Sequence, residues 1–238
     1  MHSKYIVRDG MTLWTESVNL TEDAWTFQEN NLVQVDSSEL SSYFETDFEE
    51  LWASADINST GQDDFGSVSV GQTMIDVAFS PGEGVTIDMV TANLIASAKR
   101  RVKLASMLIA SRGVLTALQN ALCSNQVLEL KGIYDSTQMQ QTIENWRKVP
   151  HNAELIPTFQ EVSTRLVSKA SITYSPEGKH NFVHNKVVVI DDIVFTGSYN
   201  LSHSATQNAE NILVIHNAQI ADQYGAYVDQ LVAAYGRP

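Results

Sequence analysis

The stretch from Val183 to Asn200, VHNKVVVIDDIVFTGSYN, occurs twice in altered form, and this internal repetition limits the possible folds more than any other feature. The β-branched run Val187 to Ile190, closed by Asp191-Asp192 and followed by Ile193 to Thr196, predicts two strands joined by a tight turn. At the N-terminus residues 2 to 19 read HSKYIVRDGMTLWTESVN. A shift of 182 places His2, Lys4 and Asp9 on His184, Lys186 and Asp191; past the turn a shift of 181 places Ser17, Asn19 and Leu20 on Ser198, Asn200 and Leu201. At that same shift Glu29-Asn30 falls on Glu210-Asn211, each pair opening a further apolar run. A duplicated structural unit is expected.

Side chains alternate faces along a strand, so His184 and Lys186 share one face, as do Ser198 and Asn200 on the returning segment. A lone histidine on an apolar strand is usually a satisfied core residue, and a lone lysine there usually reaches for solvent. The same four groups occurring twice carry more weight. An imidazole, an ammonium, a hydroxyl and an amide together suit a phosphate, with one nucleophile or acid and three donors for its oxygens.

The pattern H-x-K-x4-D followed by G-S-x-N, present twice, resembles the phospholipase D superfamily. The second motif matches at every named position, with an Asp191-to-Gly197 gap one residue shorter than the commonest spacing. The first has the usual spacing but carries Glu16 where the family has Gly, which brings a Cβ and a negative charge toward a phosphate pocket. Phe79-Ser80-Pro81, the helix-strand-helix pattern from Ile87 to Leu122 and the Arg112-Gly113-Val114 step also look like the family's approach to its second motif.

The resemblance implies an α/β, phospholipase D-like, pseudo-twofold bilobal fold with mixed β-sheets flanked by helices. The first lobe is expected to be truncated, because only Met1 precedes the first motif. Its strand would then lack a neighbour unless a partner subunit covers it. Residues 1–53 read as the C-terminal part of the first lobe, 54–72 as a linker rich in Ser, Gly, Asp and Asn, and 73–238 as a complete second lobe.

What the resemblance implies for chemistry is one site on the pseudo-twofold axis. One of His2 and His184 attacks phosphorus to give a phosphohistidine; the other protonates the leaving oxygen and then activates water or an alcohol. Family habit leans toward His2 as the nucleophile without deciding it. Lys4, Lys186, Asn19 and Asn200 would hold the non-bridging oxygens, with Ser17 and Ser198 in support. Glu29 and Glu210 would hydrogen-bond the far nitrogen of each histidine, while Asp9 and Asp191 serve the hairpin turns. Neither metal nor cofactor is expected. Phospholipid is the favoured substrate, ahead of a nuclease activity or an inactive homologue acting as a binding module, and a homodimer is a further expectation.

Composition bears on partners. A formal net charge of -13 repels a polyanion at long range and disfavours sequence-independent duplex binding. The one basic cluster, Lys99 to Lys103, reads as a solvated helix end. No apolar run reaches the roughly 18 residues that a membrane helix requires. Cys123 is the single cysteine, so no intrachain disulfide can form, and with Met1 directly before His2 no export signal is expected.

Between the motifs, strands are expected at 74–79, 102–109, 126–133, 153–157 and 170–174, with helices at 87–99, 112–122 and 136–147. A strand at 212–215 and a helix over 218–235 close the chain. Trp14, Trp25 and Trp52 are read as core.

Overall fold

The computed structural model describes residues 1–62 and 65–236, leaving the Glu16 side chain outside the description. The first hairpin is β1 (Tyr5–Arg8) and β2 (Thr12–Glu16). After the short α1 (Glu22–Thr26), β3 (Leu32–Asp36) adds antiparallel to β2, and α2 (Ser38–Ser54) packs behind, its first turn capped by the Ser37 hydroxyl. The chain continues through β4 (Gly66–Val70), β5 (Thr73–Ser80), α3 (Gly84–Ser97), β6 (Arg101–Ser106), β7 (Ile109–Ala110) and α4 (Arg112–Ser124). Next come β8 (Glu129–Asp135), α5 (Ser136–Arg147), α6 (Pro150–Ala153), α7 (Leu155–Ser163) and β9 (Val167–Lys169). The second hairpin is β10 (Lys186–Ile190) and β11 (Ile193–Gly197), followed by β12 (Leu201–Ser202), β13 (Glu210–His216) and α8 (Ala218–Tyr235).

One sheet of eight strands, in the order β4-β5-β13-β11-β10-β6-β8-β9, dominates the molecule. It is antiparallel except where β8 pairs with β6 and β9 with β8. β10 lies in its middle and is buried on both faces, which is why it reads as an unbroken β-branched run. Val188 and Ile190 pack toward α3 and α4 with Ile95, Val114 and Leu118. Val187 and Val189 face the other way, into a core shared with Leu13, Val35, Leu40 and Phe44 of the N-terminal repeat. The three-stranded sheet and α2 are thus packed on the large sheet rather than tethered to it.

The turns explain the change of shift within the repeat. Two residues, Asp191 and Asp192, separate the paired Ile190 and Ile193, whereas three separate Arg8 from Thr12. Asp191 (φ 50°), Asp9 (φ 56°) and Gly10 (φ 61°) supply the left-handed conformations such turns need. The Asp191 carboxylate also accepts the backbone N–H groups of Lys99, Arg100 and Arg101, tying the hairpin tip to the start of β6. Asp9 is exposed beside Arg8.

Several sequence expectations need correction. The stretch 54–72 is not all linker: residues 66–70 form β4, an edge strand hidden by its Ser and Gly content because it buries only Val68. Residues 153–157 are helical, not a strand. Leu155, Phe159 and Val162 are spaced for one helix face, and Pro157 sits in the first turn, where its missing N–H costs nothing. The short strand expected at 170–174 lies at Val167–Lys169. Arg101 and Lys103, read as part of a solvated helix end, belong to β6 and pair with Asp222 and Asp229. Trp14, Trp25 and Trp52 are 40%, 57% and 76% exposed, so they are not core. Trp14 alternates outward from the buried Leu13 on β2, and Trp52 stacks on Phe48 along the outer face of α2.

Candidate active site

The two hairpins bring their polar cargo together where the repeats meet. The His2 and His184 rings lie 6.2 Å apart, centroid to centroid, tilted by 59°. Behind each histidine stands its lysine: Lys186 Nζ donates to the His184 carbonyl at 2.7 Å, and Lys4 Nζ donates to the His2 carbonyl. His184 and Lys186 are buried and His2 is partly exposed. Asn200 is buried with its Oδ1 unpartnered, and Asn19, its repeat mate, is half-buried. An orphaned buried amide oxygen is costly unless something else satisfies it.

The loops after β2 and β11 show a pseudo-twofold relation. The Ser17 N–H donates to the Asn31 carbonyl while the Asn31 N–H donates to Ser17 Oγ; Ser198 and Asn211 make the same two bonds. Each asparagine side chain then crosses the axis, Asn31 Nδ2 to Thr196 Oγ1 at 2.7 Å and Asn211 Nδ2 to Thr15 Oγ1 at 2.6 Å. Likewise the His184 N–H donates to the Glu29 carbonyl, and the His2 N–H donates to the Ala209 carbonyl. In space, therefore, Glu29 matches Ala209, Asn30 matches Glu210 and Asn31 matches Asn211, a shift of 180 rather than 181. The first loop carries one residue more than the second.

That extra residue corrects the reading of the acidic partners. Glu210 is fully buried and accepts from His2 Nδ1 at 2.6 Å, the contact expected of it. The Glu29 carboxylate, by contrast, makes no hydrogen bond to the His184 ring. It pairs with Lys169 Nζ at 2.6 Å and accepts from the Tyr235 hydroxyl. The residue against His184 is Asn30, whose Oδ1 lies 3.1 Å from His184 Nδ1; the Ser17 carbonyl lies 2.8 Å from the same nitrogen. Ser17 and Ser198, expected to support a phosphate, are wholly buried and use their hydroxyls within the loops. The sequence reading named Asn30 and Asn211 only as repeat mates and did not single out Asn31, Thr15 or Thr196. An alignment allowing one gap in the loop would have put Asn31 on Asn211.

Burial first, then the charges of Lys186, Lys4 and His2, hold the His184 imidazole well below its usual range. Burial and then Lys4 likewise depress the Lys186 ammonium, with Glu210 opposing. His2, Lys4, His184 and Lys186 are thus collected around one patch, where burial and mutual repulsion disfavour the charged forms of His184 and Lys186 and an incoming anion would relieve that repulsion. Among the described residues no group of three or more His, Cys, Asp or Glu is placed to hold a metal ion.

Fold and site define a class: an α/β protein of two repeats that contributes one histidine and one lysine from each to a shared centre. Comparison with known proteins bears on the family and the fold. Residues 1–52 and 91–232 match the family model described as the PLD-like domain of cardiolipin synthase. A phospholipase D of Rickettsia bellii (strain RML369-C) is 40% identical over 60 residues, which is 24% of this chain and 30% of that relative. Phosphatidylserine synthase of Haemophilus influenzae Rd KW20 shares the fold across 98% of this chain and 61% of its own, with a TM-score of 0.62 at 14% identity. NucT from Helicobacter pylori is similar over 69% of this chain and 98% of its own, with a TM-score of 0.52 at 20% identity. The chain belongs to the phospholipase D superfamily.

Proposed function

We propose that this chain is a phosphodiesterase acting through a covalent phosphohistidine, with phospholipid as its substrate. The observation that carries the reading is the facing pair His2 and His184, each with Nδ1 engaged so that Nε2 is left for substrate, and each with a lysine behind it. Lys4, Lys186, Asn19 and Asn200 hold the non-bridging oxygens. In this reading residues 1–53 and 73–238 are the two lobes that build the site.

Lipid is favoured over nucleic acid by two features. The net charge of -13 opposes a polyanion. The segments leading to Glu29 and to His184 run together, bonded from the Glu29 N–H to the Phe182 carbonyl and from the His180 N–H to Asp23. They expose Leu20, Trp25, Phe27, Ile172 and Tyr174. Lys179 lies over the Phe27 ring, and Tyr174, His180 and Phe182 stack in series. An aromatic rim with an ammonium beside it suits the headgroup level of a bilayer.

The test is release of headgroup from phosphatidylglycerol and phosphatidylcholine vesicles, set beside cleavage of single-stranded and duplex DNA. Vesicle turnover without DNA cleavage is expected. DNA cleavage alone would make the chain a nuclease, and binding without turnover of either would make it a non-catalytic homologue.

A further inference from the structure

The helices that follow the two hairpins, α2 and α8, are repeat mates with different surroundings. The match of Asn31 with Asn211 carries through β3 and β13, at the same shift of 180, to the helix caps. There Ser37 Oγ accepts from the Leu40 N–H, and Asn217 Oδ1 accepts from the Ile220 N–H. Phe48 of α2 therefore stands for Val228 of α8, and Glu49 stands for Asp229, just as β1 stands for β10. In the second repeat α8 lies over β6, the strand that pairs antiparallel with β10, and over β8 beyond it. Asp229 takes Lys103 Nζ of β6 at 2.8 Å and Lys131 Nζ of β8 at 2.9 Å. Val228 is wholly buried with Ala105 of β6 and Ile133 of β8.

In the first repeat no strand among the described residues takes the place of β6. β1 pairs with β2 alone, so the N–H and C=O groups of its outer edge face no neighbouring strand. Beside that edge an open groove of about 570 Å³ lies between Tyr5, Ile6 and Val7 of β1 and Phe44, Phe48 and Glu49 of α2. Phe48 is 48% exposed where its mate Val228 is buried, and Glu45 and Glu49 are exposed. Helix α2 carries the carboxylates of Glu39, Glu45, Asp47, Glu49 and Glu50 and no lysine or arginine.

We propose that the groove between β1 and α2 docks an extended segment of a partner polypeptide, with lysine or arginine alternating with apolar residues, as an added strand antiparallel to β1. The sequence of β6, Arg101-Val102-Lys103-Leu104-Ala105, shows the chemistry that such a place takes. Val7 stands for Val189, which lies opposite Lys103, so a cationic residue opposite Val7 comes under Glu49. Tyr5 stands for Val187, opposite Ala105, so a small apolar residue opposite Tyr5 meets Phe48. Between them an apolar residue covers Ile6, which is 44% exposed. Main-chain bonds along the edge supply affinity, and the carboxylates select the charge. A bilayer is the poorer occupant, because acyl chains cannot hydrogen-bond a strand edge and anionic headgroups meet the α2 carboxylates. A second copy pairing through β1 brings another α2 with the same carboxylates.

The probe is a capped, dye-labelled synthetic peptide with the sequence of residues 99–108, KRRVKLASML, titrated against the full chain by fluorescence anisotropy. Saturable one-to-one binding is expected. Glu49→Lys in the chain, or Lys103→Glu in the peptide, should each weaken it at least about tenfold, and raised salt should weaken it as well. Glu49 is exposed, so Glu49→Lys should leave the Tm of the chain unchanged. Hydrogen exchange on the parent chain gives a second reading, with new protection of residues 5–8 when the peptide binds. No saturable binding, equal binding of the Lys103→Glu peptide, an affinity unmoved by Glu49→Lys, or protection confined to other strands would each overturn the proposal. A parent chain that sediments as a dimer with residues 5–8 already protected would also overturn it, because the occupant would then be a second copy.

Discussion

At the residue scale, Lys186 shows a conflict between stability and chemistry. Its ammonium is buried, and burial together with Lys4 depresses it well below the usual lysine range, so at neutral pH the charged form is less favourable in the folded chain than in the unfolded one. Lys186→Met removes that charge while keeping an unbranched chain of similar length. The expected outcome is a gain in urea-unfolding stability of about 1–3 kcal/mol with loss of turnover. His184 adds a pH dependence whose sign follows from its depressed value. Between that value and the unfolded value near 6.5, the unfolded chain binds a proton that the folded chain does not. Stability should therefore fall as pH drops through this window, by at most about 1.4 kcal/mol per unit from this group. Urea unfolding at several pH values, with His184→Asn showing a shallower slope, checks this. The histidines and lysines were legible in the sequence because they recur at fixed spacing. Asn30 was not, because it looks like any loop asparagine until the extra residue in the first loop is placed in space.

At the element scale the second hairpin holds a backbone conformation that the first cannot share unchanged. Gly197 ends β11 at φ 141°, and a Cβ there would lie 2.4 Å from the Asn211 carbonyl oxygen. Gly197→Ala must displace the backbone bonds by which Ser198 and Asn211 set the loop beneath Asn200. We expect a loss of about 1–3 kcal/mol in thermal or urea unfolding, together with reduced turnover. In the first hairpin Glu16 stands at this position, its backbone paired with Leu32. Strands β10 and β11 and helix α8 were legible because long apolar runs closed by turn residues permit little else. β4 and α7 were not: one is a mostly exposed edge strand, and the other starts around a proline that reads as a break.

At the scale of the whole molecule, the N-terminal repeat is small yet shares a core with the large sheet through Leu13, Leu40 and Phe44. β10 is paired on both sides, with β6 and β11, whereas β1 pairs only with β2 among the described residues, and Ile6, Trp14, Phe48 and Trp52 are exposed around it. The internal repeat made the pseudo-twofold plan legible. It did not reveal that the asparagine-to-threonine bonds across the axis, from Asn31 to Thr196 and from Asn211 to Thr15, lock the two halves in register. With these bonds in place His2 lies beside His184 within one chain.

The central claim, one composite site within a single chain, is tested most directly by steady-state hydrolysis of bis(p-nitrophenyl) phosphate by the parent chain, by His2→Ala and by His184→Ala. Both variants should lose turnover by about 10²–10⁴-fold, and mixing them should restore none. Full turnover by His2→Ala alone would contradict the claim, because His184 would then be working without its partner from the first repeat.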